Sequence, residues 1–337
     1  MILGVNTDFR HWHDLDRLAR DIRAVGFLWI RSVFLPGPFL YLFLLACRAA
    51  GLQVLLVVAR ESLVGGSFEA TAKEATKYAH LVAAWEIGNE WDQESPSSWD
   101  LPGSEVTRLG RCFRTELPGA LLVLGGQVSG DPNYLEDVDL SVFDGDALHT
   151  YGERPDGWSD STWGFGWAAE LIDNYCTEIE ENHHYPLPIW ITEYGAPADD
   201  LGGSEAVRSH YYGAMAKTFI RHGRVLAAFP FKWEDDGVEG FGLLDLNRKP
   251  RPALTVVSAI ALSLASSDEE ESPTVTIEEL ATKPQRDDPD HEYGIWGKIE
   301  GNGPRFAWAN TPEWLPIIEI NGEAVVIEKN GEPYRPQ

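Results

Sequence analysis

The sequence predicts an α/β protein, a (β/α)8 TIM barrel with a small C-terminal antiparallel β module, and three observations carry that reading. Short apolar runs alternate with segments of helical period across residues 1–265. Two of those runs end in glutamates, Glu90 and Glu193, 103 positions apart. A barrel of about 250 residues spends roughly 30 residues per strand-helix unit, which separates strands four and seven by about 95. At 337 residues the chain can bury one such barrel and a small appendage.

Eight strands are expected in order: Ile2 to Asn6, Trp29 to Phe34, Gln53 to Ala59, Ala83 to Asn89, Leu121 to Gln127, Ala147 to Tyr151, Ile189 to Glu193, and Ala227 to Lys232. Between the first two, Asp14 to Val25 has helical period and is stopped by Gly26. The next helix contains Phe39 to Cys47, which is apolar nearly all round but too short for a bilayer, whose crossing takes about 20 residues. A helix of that kind has to be covered, so a packed neighbour or a contact between copies is expected there. Ser204 and Glu205 open a helix that runs to about His222 and closes at Gly223. The last barrel helix starts at Pro252, where proline suits a first turn, and ends near Ala265. Residues 266–273, Ser-Ser-Asp-Glu-Glu-Glu-Ser-Pro, read as an acidic linker. Residues 274–337 hold short alternating stretches, at 274–277, 293–298, 305–309, 317–320 and 324–327, with Asn321-Gly322 as a hairpin turn. About 60 residues make a marginal unit, so this module is expected to pack on the barrel. Trp296, Trp308 and Trp314 fit its core better than a sugar-binding face.

The formal net charge is −26, and of 27 basic residues eight are Lys. Nucleic-acid binders present basic surface, so a polyanionic partner is excluded. Cys47, Cys112 and Cys176 are widely spaced and odd in number, and are expected as buried free thiols in helices. The first strand begins at Ile2, so the expectation is a cytoplasmic protein or one whose leader was removed; no membrane span is expected.

Side chains at the C-terminal ends of barrel strands point into the mouth, and two carboxyl groups facing each other there are what glycosidic bond cleavage requires. Glu90 stands in Trp85-Glu-Ile-Gly-Asn-Glu-Trp91 and Glu193 in Ile189-Trp-Ile-Thr-Glu-Tyr-Gly195. Retaining hydrolysis needs one carboxylate ionised, to attack the anomeric carbon, and one protonated, to deliver a proton to the leaving oxygen. Arg31 and the Tyr151 hydroxyl would favour an ionised Glu193, while Trp85 or Trp91 would desolvate Glu90.

Laid out in order, these residues resemble the clan A glycoside hydrolases, retaining enzymes on a (β/α)8 barrel, over about residues 1 to 262. The resemblance implies that Asn89-Glu90 ends strand four with Glu90 as acid/base, and that Glu193 ends strand seven as nucleophile. It further implies Arg31 on strand two, His149-Thr-Tyr151 on strand six and Trp233 after strand eight as supporting or substrate-binding residues. Asn89 would meet the sugar 2-hydroxyl, and Trp233 the C–H face of a pyranose. The implied activity is hydrolysis of a β-linked oligo- or polysaccharide with no organic cofactor or catalytic metal. The motifs lie between the cellulase/mannanase and β-xylosidase families without selecting one.

Other polar groups carry weaker readings. Glu86 shares the inward parity of Glu90 and would pair with a barrel arginine. His11-Trp12-His13 would line a subsite, as would Trp91, Trp99, Trp158, Trp163 and Trp167. Glu234, Asp235, Asp236 and Glu239 would form a solvated rim rather than a calcium loop, and His183-His184 would close a helix. A non-catalytic carbohydrate-binding barrel has no use for the second carboxylate, and a transglycosylase would share every residue. A phosphate-substrate lyase or isomerase is disfavoured by the acidic run after strand eight.

Overall fold

A computed structural model describes residues 1–92, 101–127, 132–151, 172–177, 179–181, 187–197, 204–235, 237 and 240–267, and the backbone of strands at 317–320, 323–327 and 333–334. All eight expected strands are present: β1 (Ile2–Asn6), β2 (Trp29–Val33), β3 (Gln53–Val58), β4 (Ala84–Ile87), β5 (Leu122–Gln127), β6 (Gly145–Tyr151), β7 (Ile189–Gly195) and β8 (Val225–Pro230). They form a closed parallel barrel in chain order, with β8 pairing back onto β1 through Ile2 and Ala227. The helices are α1 (Leu15–Ala24), α2 (Pro38–Ala49), α3 (Phe68–Ala75), α4 (Gly103–Glu116), α5 (Glu205–Arg221) and α6 (Pro252–Ser267). Residues 172–177 and 179–181 are also helical.

The helix ends follow from the sequence. Asp14 accepts from the Arg17 N–H at the start of α1, and Ser204 from the Val207 N–H at the start of α5, each satisfying a donor that the first turn leaves open. Gly26 takes φ +97° just beyond α1, a conformation that costs glycine little. In α2, Leu40, Phe43, Leu44 and Cys47 are buried while Phe39, Tyr41, Leu42 and Leu45 remain 39–55% exposed. Cys47 and Cys176 are buried free thiols; Cys112, expected to be buried too, is partly exposed on α4. No helix among the described residues is long and apolar enough to cross a membrane.

Strand alternation divides the core in two. Outward residues such as Val5, Ile30, Leu56, Ile87, Leu124, Leu148 and Ile191 pack under the helices. Inward residues Leu55, Ala84, Val123, Ala147, Trp190, Ala227 and Phe229 fill the lower barrel. Trp190 stacks on Phe229 at 6.3 Å and meets Trp29 edge-on at 5.7 Å. One inward step further along β1, β2, β4 and β6 the filling becomes polar: Asn6, Arg31, Glu86 and His149, all at most 5% exposed.

The chain divides into two compact units, Met1–Ala265 and Ser266–Gln337. The second contains antiparallel strands β9 (Ile317–Ile320), β10 (Glu323–Ile327) and β11 (Pro333–Tyr334). Ile320 pairs with Glu323, which leaves Asn321 and Gly322 between them. The strands expected at 274–277, 293–298 and 305–309, the three tryptophans of this module and residues 268–273 lie outside the described residues.

Candidate active site

Arg31 is the hub of the upper barrel. Its Nε and Nη2 donate to the two oxygens of Glu86 at 2.5 and 2.9 Å, a bidentate pair. Nη1 donates to Asn6 Oδ1 at 2.8 Å and to Glu193 Oε1 at 2.5 Å, and Nη2 reaches Asn89 Oδ1 at 2.8 Å. Glu86, fully buried, also accepts from the Gly126 N–H at 3.0 Å and the Thr192 hydroxyl at 3.2 Å. Asn6 is itself held by donation to the Thr192 carbonyl at 2.8 Å. A buried arginine with two carboxylates costs desolvation on all three ions, and only full hydrogen bonding of this kind offsets it.

Glu193 reaches the mouth through a bulge. The β6–β7 register runs Leu148 to Ile191 and then His149 to Glu193, so Thr192 is the extra residue. Strict alternation from the inward Trp190 would turn Glu193 outward; the bulge re-aims it. Its carboxylate takes the Arg31 hydrogen bond on Oε1 and that of the Tyr151 hydroxyl on Oε2. Burial alone would raise the Glu193 pKa, but His149, Arg31 and Tyr151 outweigh it and hold the group below the ordinary glutamate value.

Glu90 arrives by a different route. β4 ends at Ile87, and Glu90 sits three residues on in a turn with φ +48°, its N–H bonded to the Gly126 carbonyl at 2.8 Å. Left-handed φ is uncommon for a residue with a Cβ, and the hydrogen bond and neighbouring packing hold it there. The turn, rather than parity with Glu86, brings this carboxyl inward. Its side chain is 19% exposed against 8% for Glu193. Of the two tryptophans expected to desolvate it, Trp85 packs outward against Phe34 and Phe113, while Trp91 is buried and donates to the Gly125 carbonyl.

His149 joins the two glutamates. Its Nδ1 lies 3.1 Å from Glu90 Oε1 and its Nε2 3.7 Å from Glu193 Oε1. Burial would lower its pKa, yet Glu193 and Glu90 together raise it. The ring fits because β5 has no side chain at Gly126, where a Cβ would stand 2.1 Å from His149 Nε2. One ligand atom each from Glu90, His149 and Glu193 lie within 4.8 Å of one another. A cation held by this trio would face the guanidinium that already binds Glu193, with Nη2 3.5 Å from the imidazole.

Thus Arg31, Asn89, Glu90, His149, Tyr151 and Glu193 converge. Trp233 does not. Its ring is 2% exposed and packs edge-on to Phe27 at 6.5 Å in the outer layer, with no free face. Phe231 stands at the mouth instead, edge-on to Tyr151 at 6.0 Å and to Phe241 at 5.5 Å. Its inward parity with Ala227 and Phe229 was the signal in the sequence. Asn6 carries a similar signal, a polar residue at an inward position of an apolar strand. Glu86 pairs with a barrel arginine as expected.

Trp91, 1% exposed, is not on the rim, and Trp12 is buried beneath the Arg248 guanidinium at 4.0 Å. Glu234 and Asp235 are not a solvated rim either: Glu234 lies 3.4 Å from Arg248 and Asp235 2.5 Å from Arg251. Asp236, Glu239, His183, His184, Trp99, Trp158, Trp163 and Trp167 lie outside the described residues.

Solved structures share this architecture. A GH5_18 protein from Bifidobacterium longum subsp. longum, in complex with Manβ1-4GlcNAc, superposes with TM-score 0.61 at 14% identity over 79% of each chain. One from Streptomyces cattleya, with the same disaccharide, gives 0.57 at 17% identity over 82% of each chain. The fold is the barrel of these glycoside hydrolases. An FMN-binding β-glucuronidase from Facaelibacterium prausnitzii matches 77% of this chain with TM-score 0.56 at 18% identity, and this chain spans 43% of its length. No protein-family model and no curated protein sequence matches the chain.

Proposed function

We propose that the chain is a retaining β-glycoside hydrolase, with Glu193 as nucleophile and Glu90 as acid/base. The observation that carries this reading is the close approach of two carboxyl groups in unequal surroundings, with oxygens within 4.8 Å. Retaining glycosidases hold their carboxyl groups about 5 to 5.5 Å apart, whereas inverting ones leave roughly 6.5 to 9.5 Å for a water.

The roles follow from the surroundings. Glu193, kept ionised by Arg31 and Tyr151, attacks the anomeric carbon as protonated Glu90 passes its proton to the leaving oxygen. The glycosyl ester that forms carries no charge on Glu193, so the anionic Glu90 is then free to take a proton from water attacking the ester. Asn89, oriented by Arg31, is placed to meet a sugar hydroxyl, and Phe231 takes the stacking role that the sequence gave to Trp233.

A β-glycoside is the substrate class to try first, in keeping with the β-linked disaccharide of the GH5_18 neighbours and the β-glucuronidase among the rest. The test is intact mass after incubation with 2-deoxy-2-fluoro β-glycosides of several sugars, followed by peptide mapping. A stable adduct on Glu193 is expected, and the sugar that labels names the glycone. In parallel, Glu193→Ala with azide should give an α-glycosyl azide; a β-azide would exchange the roles of the two glutamates.

A further inference from the structure

Helix α5 carries a cation that the reaction above does not use. Arg208 is fully buried, and its guanidinium goes mainly to backbone carbonyls. Nε donates to Ala196 O at 3.1 Å, and Nη2 to Gly242 O at 2.8 Å and to Phe241 O. Ala196 follows β7 and residues 241–242 follow β8, so one side chain ties together the two loops that flank Glu193. One turn later, the Tyr212 ring lies under the guanidinium at 4.9 Å, and its hydroxyl approaches Phe231 O at 2.8 Å and Phe241 O at 3.1 Å. Glu205 completes the brace, 3.5 Å from Arg208 and 2.8 Å from Arg251, which in turn holds Asp235.

The held backbone belongs to two aromatic residues of the mouth. Phe241 meets Tyr151 at 5.6 Å and Phe231 at 5.5 Å, and Phe231 meets Tyr151 at 6.0 Å, so the three rings form a closed set. Tyr151 is the donor to Glu193 Oε2. We propose that Arg208 and Tyr212 are positioning residues for the nucleophile: by fixing the backbone at Phe231 and Phe241 they hold the aromatic set that keeps the Tyr151 hydroxyl on Glu193. This rests on Glu193 being the nucleophile. A brace that served loop stability alone would leave the protonation of Glu193 unchanged when cut.

The test uses Tyr212→Phe, which removes one hydroxyl and keeps the ring beneath Arg208, together with Phe241→Leu and Arg208→Met. Two readings are taken on each: the pH dependence of Glu193 labelling by the 2-fluoro glycoside, and the ¹³C carboxyl titration of Glu193 in protein labelled at glutamate Cδ, assigned with Glu193→Gln. Displacing a reacting group by about 1 Å can cost on the order of 10²-fold. Tyr212→Phe should label about tenfold more slowly, Arg208→Met more slowly still, and in both the acid limb should move upward because a donor to the carboxylate is lost. Labelling at the wild-type rate with an unmoved limb in Tyr212→Phe and Phe241→Leu would overturn the proposal while the nucleophile assignment stood. If no glycoside labels the wild type, that assignment fails separately, and the carboxyl titration alone decides: an upward shift in Tyr212→Phe and Phe241→Leu supports the brace, and an unmoved titration in either overturns it.

Discussion

The two ends of the barrel interior are built from the same eight strands and share almost no chemistry. At the lower end, Trp29, Leu55, Trp190 and Phe229 fill the space with apolar volume. At the upper end, two or three residues beyond the inward Trp29, Ala84, Ala147 and Trp190, Arg31, Glu86, His149 and Glu193 fill it with charge. A filled lower end gives the upper groups a dry, unyielding floor, so hydrogen bonds made above it act in a medium where each is strong and each unmade one is costly. The lower half thus supplies rigidity, and the upper half uses it to hold two carboxyl groups in unequal surroundings.

The largest effect should come from the charged end. Glu193→Gln is expected to lower turnover on the order of 10⁴-fold or more while leaving the fold intact, checked by steady-state rates beside circular dichroism. Arg31→Met removes the cation from two buried carboxylates, so it should abolish most turnover and destabilise by about 3 to 5 kcal/mol in a denaturant titration. At the apolar end, Trp190→Ala should cost a similar ~3 to 5 kcal/mol through the cavity it leaves. Its acid limb should stay in place, and a moved limb would show that the two ends are not separable.

The smallest effect sharpens the contrast. Asp146, on the lower part of β6, is fully buried with the Tyr175 hydroxyl donating to it at 2.6 Å, and no arginine or lysine bonds it among the described residues. Burial pushes its pKa up to about 7, against 3.8 for the ordinary group, where the paired Glu193 goes down. Between those values the folded chain keeps a proton that the unfolded chain releases, so stability falls as pH rises from about 4 to 7 and levels off above. Asp146→Asn should therefore raise the melting temperature relative to wild type more at pH 8 than at pH 4.

Much of this was legible beforehand. Eight apolar runs at barrel spacing gave the strands, and their ends shifted by only one or two residues. The strand-four and strand-seven motifs located both glutamates. What could not be read was how each carboxyl turns inward, since a bulge at Thr192 and a left-handed Glu90 are backbone events set by tertiary pairing rather than local preference. Trp233 misled for a related reason: it shares the parity of Phe229 and Phe231, but the chain leaves the strand after Pro230, and by Trp233 that parity has lapsed. Arg208 was invisible because its main partners are backbone carbonyls more than ten residues away, which no side-chain motif marks.

Among the eight strands, β5 gives its upper interior positions no side chains, and that has a practical meaning for anyone who would redesign this protein. A Cβ at Gly125 would lie 2.3 Å from the Gly88 carbonyl, and one at Gly126 would strike the His149 ring. What β5 contributes is room, together with one N–H for Glu86 and one carbonyl for the Glu90 turn. Libraries aimed at new substrates would be wasted on these two positions, and a saturation screen for retained turnover should return glycine at both. Diversity in what the barrel accepts has to enter through the loops, over a strand that stays bare.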